Sequence, residues 1–167
     1  MKTKPKKPAA SSCKKCKAKV EKNVLFCKEC GPAQWLQDFY PVEARDTEKK
    51  DAIMHSLIKW IGLRPKTLAK YSLTTYNGDV YIPMDKDNEE ILILSVSSTT
   101  CSLCFHYFSS NAKHACSTCP LFITLGRACD TYDTDCDQDT PPFQAFYHFS
   151  NPEPMIRLLR KTLKANA

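Results

Sequence analysis

Eight of the ten cysteines stand in four CxxC pairs, Cys13/Cys16, Cys27/Cys30, Cys101/Cys104 and Cys116/Cys119. A CxxC turn aims two thiolates at one point, and two such turns complete a tetrahedron around Zn²⁺. Ten residues separate the first two pairs and eleven separate the last two. The spacing therefore predicts two Zn²⁺ ions, one held by Cys13, Cys16, Cys27 and Cys30, the other by Cys101, Cys104, Cys116 and Cys119. A second assignment replaces one of the latter four with Cys129, which a ten-residue loop brings back through Gly126. Cys136 lies among Asp133, Asp135, Asp137 and Asp139 and suits a metal least. His114 could substitute for a cysteine, but cysteines are in surplus.

Other chemistry fits less well. The eleven-residue gap is wider than the runs that hold iron–sulfur clusters. The alternating aspartates fail as a calcium loop, because Gln138 and Gln144 fall where glycine and glutamate belong. HExxH, the HxE…PCxxC pattern of zinc deaminases, a P-loop and GxSxG are all missing from the sequence. Four thiolates leave no open position for a catalytic water, so a structural metal is expected. A redox CxxC belongs at a helix N-terminus after a strand. Cys101/Cys104 loosely meets that description, which keeps a thiol function as a minor alternative.

The charge is local. Residues 1–30 hold ten lysines against Glu21 and Glu29, a net of +8 out of the chain's +6, and the remaining residues carry −2. Two Cys₄–Zn sites, each at −2, would bring the loaded protein to about +2. The Lys-rich start lacks the apolar run of a signal peptide, and no stretch approaches the roughly 20 apolar residues that span a bilayer. The expectation is a cytoplasmic protein without membrane contact, in which paired CxxC turns hold metal rather than disulfides.

The elements that must position these cysteines read as an α+β protein. Residues 1–12 are expected as a disordered basic arm, 13–40 as a zinc ribbon, and 41–167 as an α+β zinc-binding domain containing a β-hairpin and a few helices. In the ribbon, Val24-Leu25-Phe26 is expected as the strand into the second pair, with Gly31 supplying a positive φ. Trp35, Leu36, Phe39 and Tyr40 are expected to dock the ribbon on the body. Helical spacing of Ile53, Met54, Leu57, Ile58 and Ile61 predicts a helix over 47–61, capped by Asp46 or Thr47 and ended by Gly62, with His55 on the surface. A short helix follows over 64–71. Strands are expected at 79–82 and 91–96, joined through 84–90, and the second leads to Cys101. An extended aromatic segment is expected from Pro141. A last helix opens at Asn151-Pro152, burying Met155, Ile156, Leu158, Leu159 and Leu163 beneath a face of Arg157, Arg160, Lys161 and Lys164.

Residues 57–163 carry Gly62-Leu63-Arg64-Pro65 with Thr67-Leu68, CSLC at 101–104, CSTCPL at 116–121, Gly126-x-x-Cys129, and Pro152-Glu153-Pro154-Met155-Ile156. In these stretches the chain resembles a group of small, largely uncharacterised phage and prophage proteins. The resemblance implies a cytoplasmic, virus-encoded accessory protein and a place for Cys129 among the ligands. It implies no activity. Cys136 and the N-terminal ribbon depart from it.

The leading expectation is a non-enzymatic zinc-binding module that binds a host or phage protein. The alternative is a nucleic-acid-binding accessory factor using residues 1–30, with Lys14, Lys15, Lys17, Lys19 and Lys22 facing phosphates. Only Phe26 in the ribbon could stack on a base. A third reading is a thiol enzyme using Cys129 or Cys136. No small-molecule substrate is indicated.

Overall fold

Proline opens most of the helices. The computed structural model describes residues 11–83, 91–108, 116–130 and 140–167, and it is a mixed helix-and-strand structure with two small sheets. Its α-helices are α1 (Gly31–Phe39), α2 (Ala52–Gly62), α3 (Pro65–Lys70), α4 (Ser102–Tyr107), α5 (Pro120–Leu125), α6 (Pro142–Phe149) and α7 (Glu153–Ala165). Of these seven, α1, α3, α5, α6 and α7 carry proline in the first turn, where its fixed φ suits the helix and its missing N–H costs nothing. That rule corrects the expectation of an extended segment after Pro141: Pro142 starts α6. Asn151 acts at the start of α7, where its Oδ1 accepts the Glu153 N–H at 3.2 Å.

The first sheet is minimal. Strand β1 (Ser11–Ser12) pairs antiparallel with β2 (Lys19–Val20), so Ser11 and Ser12 belong to structure rather than to the basic arm. The second sheet has the order β3-β4-β5, all antiparallel, with β3 (Thr74–Tyr76), β4 (Asp79–Ile82) and β5 (Ile91–Ser95). Val80 faces Leu94 and Ile82 faces Ile91, with an irregularity at Val80/Tyr81. The link over 84–90 lies outside the described residues. Strand β3 is absent from the sequence reading, although Asn77 and Gly78 at φ 47° and 81° make the two-residue turn that an Asn-Gly pair favours.

Helix α2 is the central element, and it is rotated from the expected stripe. It starts at Ala52, five residues later than predicted, after short 3₁₀ turns at Ala44–Asp46 and Lys49–Asp51. Met54 and Ile58 are exposed at 43% and 37%, while His55, Ser56 and Lys59 are buried alongside Ile53, Leu57 and Trp60. The apolar side of this face meets α1 and α7. Trp35, fully buried, donates its indole N–H to the Gly62 carbonyl at 3.0 Å, and Trp60 meets Phe146 edge-on at 5.0 Å. A Cβ on Gly62 would fall 2.5 Å from the Phe39 ring, so glycine is what lets α1 approach. On α7 the buried residues are Met155, Ile156, Leu158, Leu159 and Thr162. Thr162, rather than Leu163, completes the stripe because its hydroxyl is bonded to Leu158 O and Thr124 Oγ1, both at 3.0 Å.

The polar side of α2 packs on α4. His55, expected on the surface, is buried with its Nε2 2.8 Å from the Val42 carbonyl and its Nδ1 3.1 Å from Ser102 Oγ. A carbonyl only accepts, so Nε2 carries the proton. Nδ1 is then an acceptor, and the single Ser102 hydroxyl proton is shared between it and the Ala52 carbonyl 2.9 Å away, which leaves Ser56 Oγ to donate to Ser102 Oγ at 3.2 Å. The Arg64 guanidinium clamps Glu153 through two bonds of 2.7 and 3.3 Å, joining the start of α3 to the start of α7.

Burial holds the His55 imidazole below its ordinary value of 6.5. As pH falls, the unfolded chain takes up this proton first, so the stability that neutral His55 contributes is complete above 6.5 and is lost as pH falls through the folded-state value. Denaturant midpoints between about pH 8 and about pH 5 should fall more steeply in wild type than in His55→Gln. Parallel curves would contradict this account of the seam.

Candidate metal centres

The N-terminal cysteines are drawn together by short local turns. The Lys17 N–H donates to Cys13 O at 3.0 Å and the Cys13 N–H to Ala18 O at 2.7 Å, with Lys17 left-handed at φ 66°. In the second pair, the N–H groups of Cys30 and Gly31 donate to Cys27 O at 3.2 and 2.8 Å. The Lys14 N–H crosses to Leu25 O at 2.9 Å and ties the two turns to each other.

The module is moored to the body at the end of α3. Leu25 and Phe26 form no strand, contrary to expectation. Their N–H groups both donate to Lys70 O, at 2.8 and 3.1 Å, and Ser72 Oγ donates to Phe26 O at 2.8 Å. Phe26 stacks on Tyr71 at 5.1 Å, whose hydroxyl donates to Asp38 at 2.7 Å. Gly31 has no positive φ. Its role is close approach, because a Cβ there would lie 1.9 Å from the Tyr71 carbonyl oxygen.

The result is a cluster in which the sulfurs of Cys13, Cys16, Cys27 and Cys30 all lie within 4.8 Å of one another. Cys16 Sγ and Cys27 Sγ are 3.6 Å apart. Tetrahedral Zn–S bonds of about 2.3 Å place sulfurs about 3.8 Å apart, so the donor set fits such an ion with little movement. This cluster could hold a metal ion. Backbone N–H groups of Cys16 and Cys27 point at the buried Cys13 sulfur and draw its thiol down to about 6. Burial, with the neighbouring thiols, pushes Cys30 up to about 12. Lys14, Lys15, Lys17, Lys19 and Lys22 are all exposed, and among the described residues none pairs with a carboxylate.

The second set of cysteines is looser. Among the described residues the N-terminal four are the only group of three or more such ligands gathered within 4.8 Å. Cys101 caps α4 and Cys119 caps α5, with the Cys119 N–H closing a turn onto Cys116 O at 2.8 Å. Cys101, Cys104 and Cys129 line one cavity of about 460 Å³ under Trp60 and Phe143; Cys116 and Cys119 do not line it. The Cys104 thiol donates toward Cys101, and with Lys59 nearby this draws the Cys101 thiol down to about 5. The same sharing pushes Cys104 far up, and burial does so for Cys129. His114 and Cys136 lie outside the described residues. The sequence reading missed Lys59, and only its place amid the apolar stripe of α2 hinted at burial.

No protein-family model, no curated protein and no solved structure matches this chain. No helix among the described residues is long and apolar enough to cross a membrane.

The ligand in a metal–thiolate bond is the deprotonated sulfur, so loading the N-terminal cluster must expel protons, that of Cys30 among them. Zinc affinity should rise with pH through neutrality, about tenfold per pH unit for each proton displaced. Competition against a chelator at several pH values measures the slope. A flat profile would exclude protonated thiols as the ligands.

Proposed function

We propose that this chain is a non-enzymatic, zinc-stabilised interaction protein, encoded by a phage and acting in the cytoplasm of its host on a host or phage protein. Zinc occupies the Cys13, Cys16, Cys27 and Cys30 cluster as a structural ion, forming a small zinc ribbon, and a second zinc lies among the cysteines between 101 and 129. The observation that carries this reading is the cluster itself. Four sulfurs already near tetrahedral spacing complete a closed shell with no position for a reacting water.

Exposed apolar side chains support a protein partner. Phe105 and Phe108 at the end of α4, Ile123 on α5 and Phe149 on α6 stand between 56% and 71% exposed. The second reading is nucleic-acid binding through the five ribbon lysines, favoured by their exposure and lack of carboxylate partners among the described residues.

Photo-crosslinking separates these readings. A benzoylphenylalanine placed at Phe105, Ile123 or Phe149 in infected cells should give one discrete protein adduct, absent when the probe replaces Lys161. In parallel, labelled DNA and RNA should show no saturable binding at about 0.15 M salt. Absence of any adduct, with nucleic-acid binding that weakens steeply with salt and is lost when the five lysines become glutamine, would replace the first reading with the second.

A further inference from the structure

The side chain of Lys59 is the most deeply buried cation among the described residues, 1% exposed on the inner face of α2. Its ammonium donates to the Thr100 carbonyl and lies 5.9 Å from the Tyr40 ring centre. No carboxylate among the described residues pairs with it. The charges that act on it belong to Cys101, Cys104 and Cys129, the three thiols that share its cavity. A buried charge needs a compensating one, and the three thiols around its cavity can supply it. Cys116 and Cys119 stand outside this cavity, joined by the Cys119 N–H on Cys116 O at 2.8 Å.

We infer that Cys101, Cys104 and Cys129, with one thiol of the Cys116/Cys119 turn, hold a second thiophilic dication, and that Lys59 is its built-in counter-cation. This deepens the proposed function and rests on its reading of the chain as a zinc–thiolate protein, but it concerns a different centre. A dication with four thiolates carries −2. Lys59 halves that charge inside the core, and the Thr100 carbonyl, one residue before Cys101, fixes the ammonium beside the first ligand. Cys129 thereby enters the set in place of one cysteine of the second CxxC pair.

The test uses the full chain with Zn²⁺, and with Co²⁺ as a spectroscopic stand-in. Wild type should hold two ions. Cys101→Ser and Cys129→Ser should each hold one, and so should one of Cys116→Ser and Cys119→Ser, while the other keeps two. Lys59→Met, which removes the charge and keeps the volume, should weaken the second ion about 10–100-fold in chelator competition and leave the N-terminal ion unchanged. The N-terminal site serves as an internal control for folding. A single ion in wild type, lost in Cys13→Ser, would overturn this inference and remove the second zinc from the proposed function, leaving its N-terminal centre standing; no ion at all would sink both. Two ions in Cys129→Ser, or one ion in both Cys116→Ser and Cys119→Ser, would overturn the ligand set. An unchanged second affinity in Lys59→Met would overturn the role of Lys59, and a Cys101–Cys104 disulfide persisting in reductant would turn the site to thiol redox chemistry.

Discussion

The N-terminal part of this molecule depends on the mutual repulsion of four sulfurs and on what relieves it. Two thiolates a few ångströms apart repel by several kcal/mol at the dielectric of a protein surface, about 4 kcal/mol at 4 Å, and the Cys13, Cys16, Cys27 and Cys30 sulfurs lie within 4.8 Å of one another. Without a cation, most of these sulfurs must keep their protons, and the cluster reduces to weak thiol contacts. With a dication at the centre, the same spacing becomes an attraction that closes both turns. Little else holds the module. Its sheet is two residues wide on each side, and its mooring to the body is a pair of N–H groups on the Lys70 carbonyl, the Ser72 hydroxyl on the Phe26 carbonyl, the Lys28 ammonium on the Pro83 carbonyl and the Phe26–Tyr71 stack. Gly31 then lets α1 start against Tyr71, and α1 brings Trp35 into the core. Cysteine cluster, mooring and core form a chain of dependence.

The body solves a different problem. Helix α2 buries an imidazole, a serine and an ammonium on the same helix that presents Leu57 and Trp60 to the core. Each of these polar groups has a partner: Val42 O and Ser102 for His55, Ser102 for Ser56, Thr100 O for Lys59. Most of those partners lie on or just before α4. The polar seam therefore fixes α4 and its capping Cys101 relative to α2, and it does so with directional bonds where apolar packing would permit sliding.

What could be read in the sequence was local. CxxC spacing specifies the N-terminal cluster because ten intervening residues leave the two turns little freedom, and helices α3 and α7 announce themselves through proline at the start and a regular apolar stripe. The rotation of α2 could not be read in this way. Met54 and Ile58 are apolar and exposed, while His55 and Lys59 are polar and buried, because their partners sit 41 to 47 residues further along the chain at Thr100 and Ser102. Two signals were present and went unused: Pro142 as a helix start and Asn77-Gly78 as a hairpin turn. The choice among the cysteines from 101 to 129 was beyond spacing altogether. That Cys101, Cys104 and Cys129 share a cavity with the buried Lys59 is a property of the packed core.

The central claim is that this chain is a zinc–thiolate protein whose ligands are all sulfur. X-ray absorption at the zinc edge of the purified full chain tests it most directly. The account predicts a shell of about four sulfurs at about 2.3 Å and no nitrogen or oxygen. A nitrogen or oxygen scatterer near 2.0–2.1 Å, which would mean a histidine, carboxylate or water in the shell, would contradict the closed thiolate centre and reopen the search for catalysis at the metal.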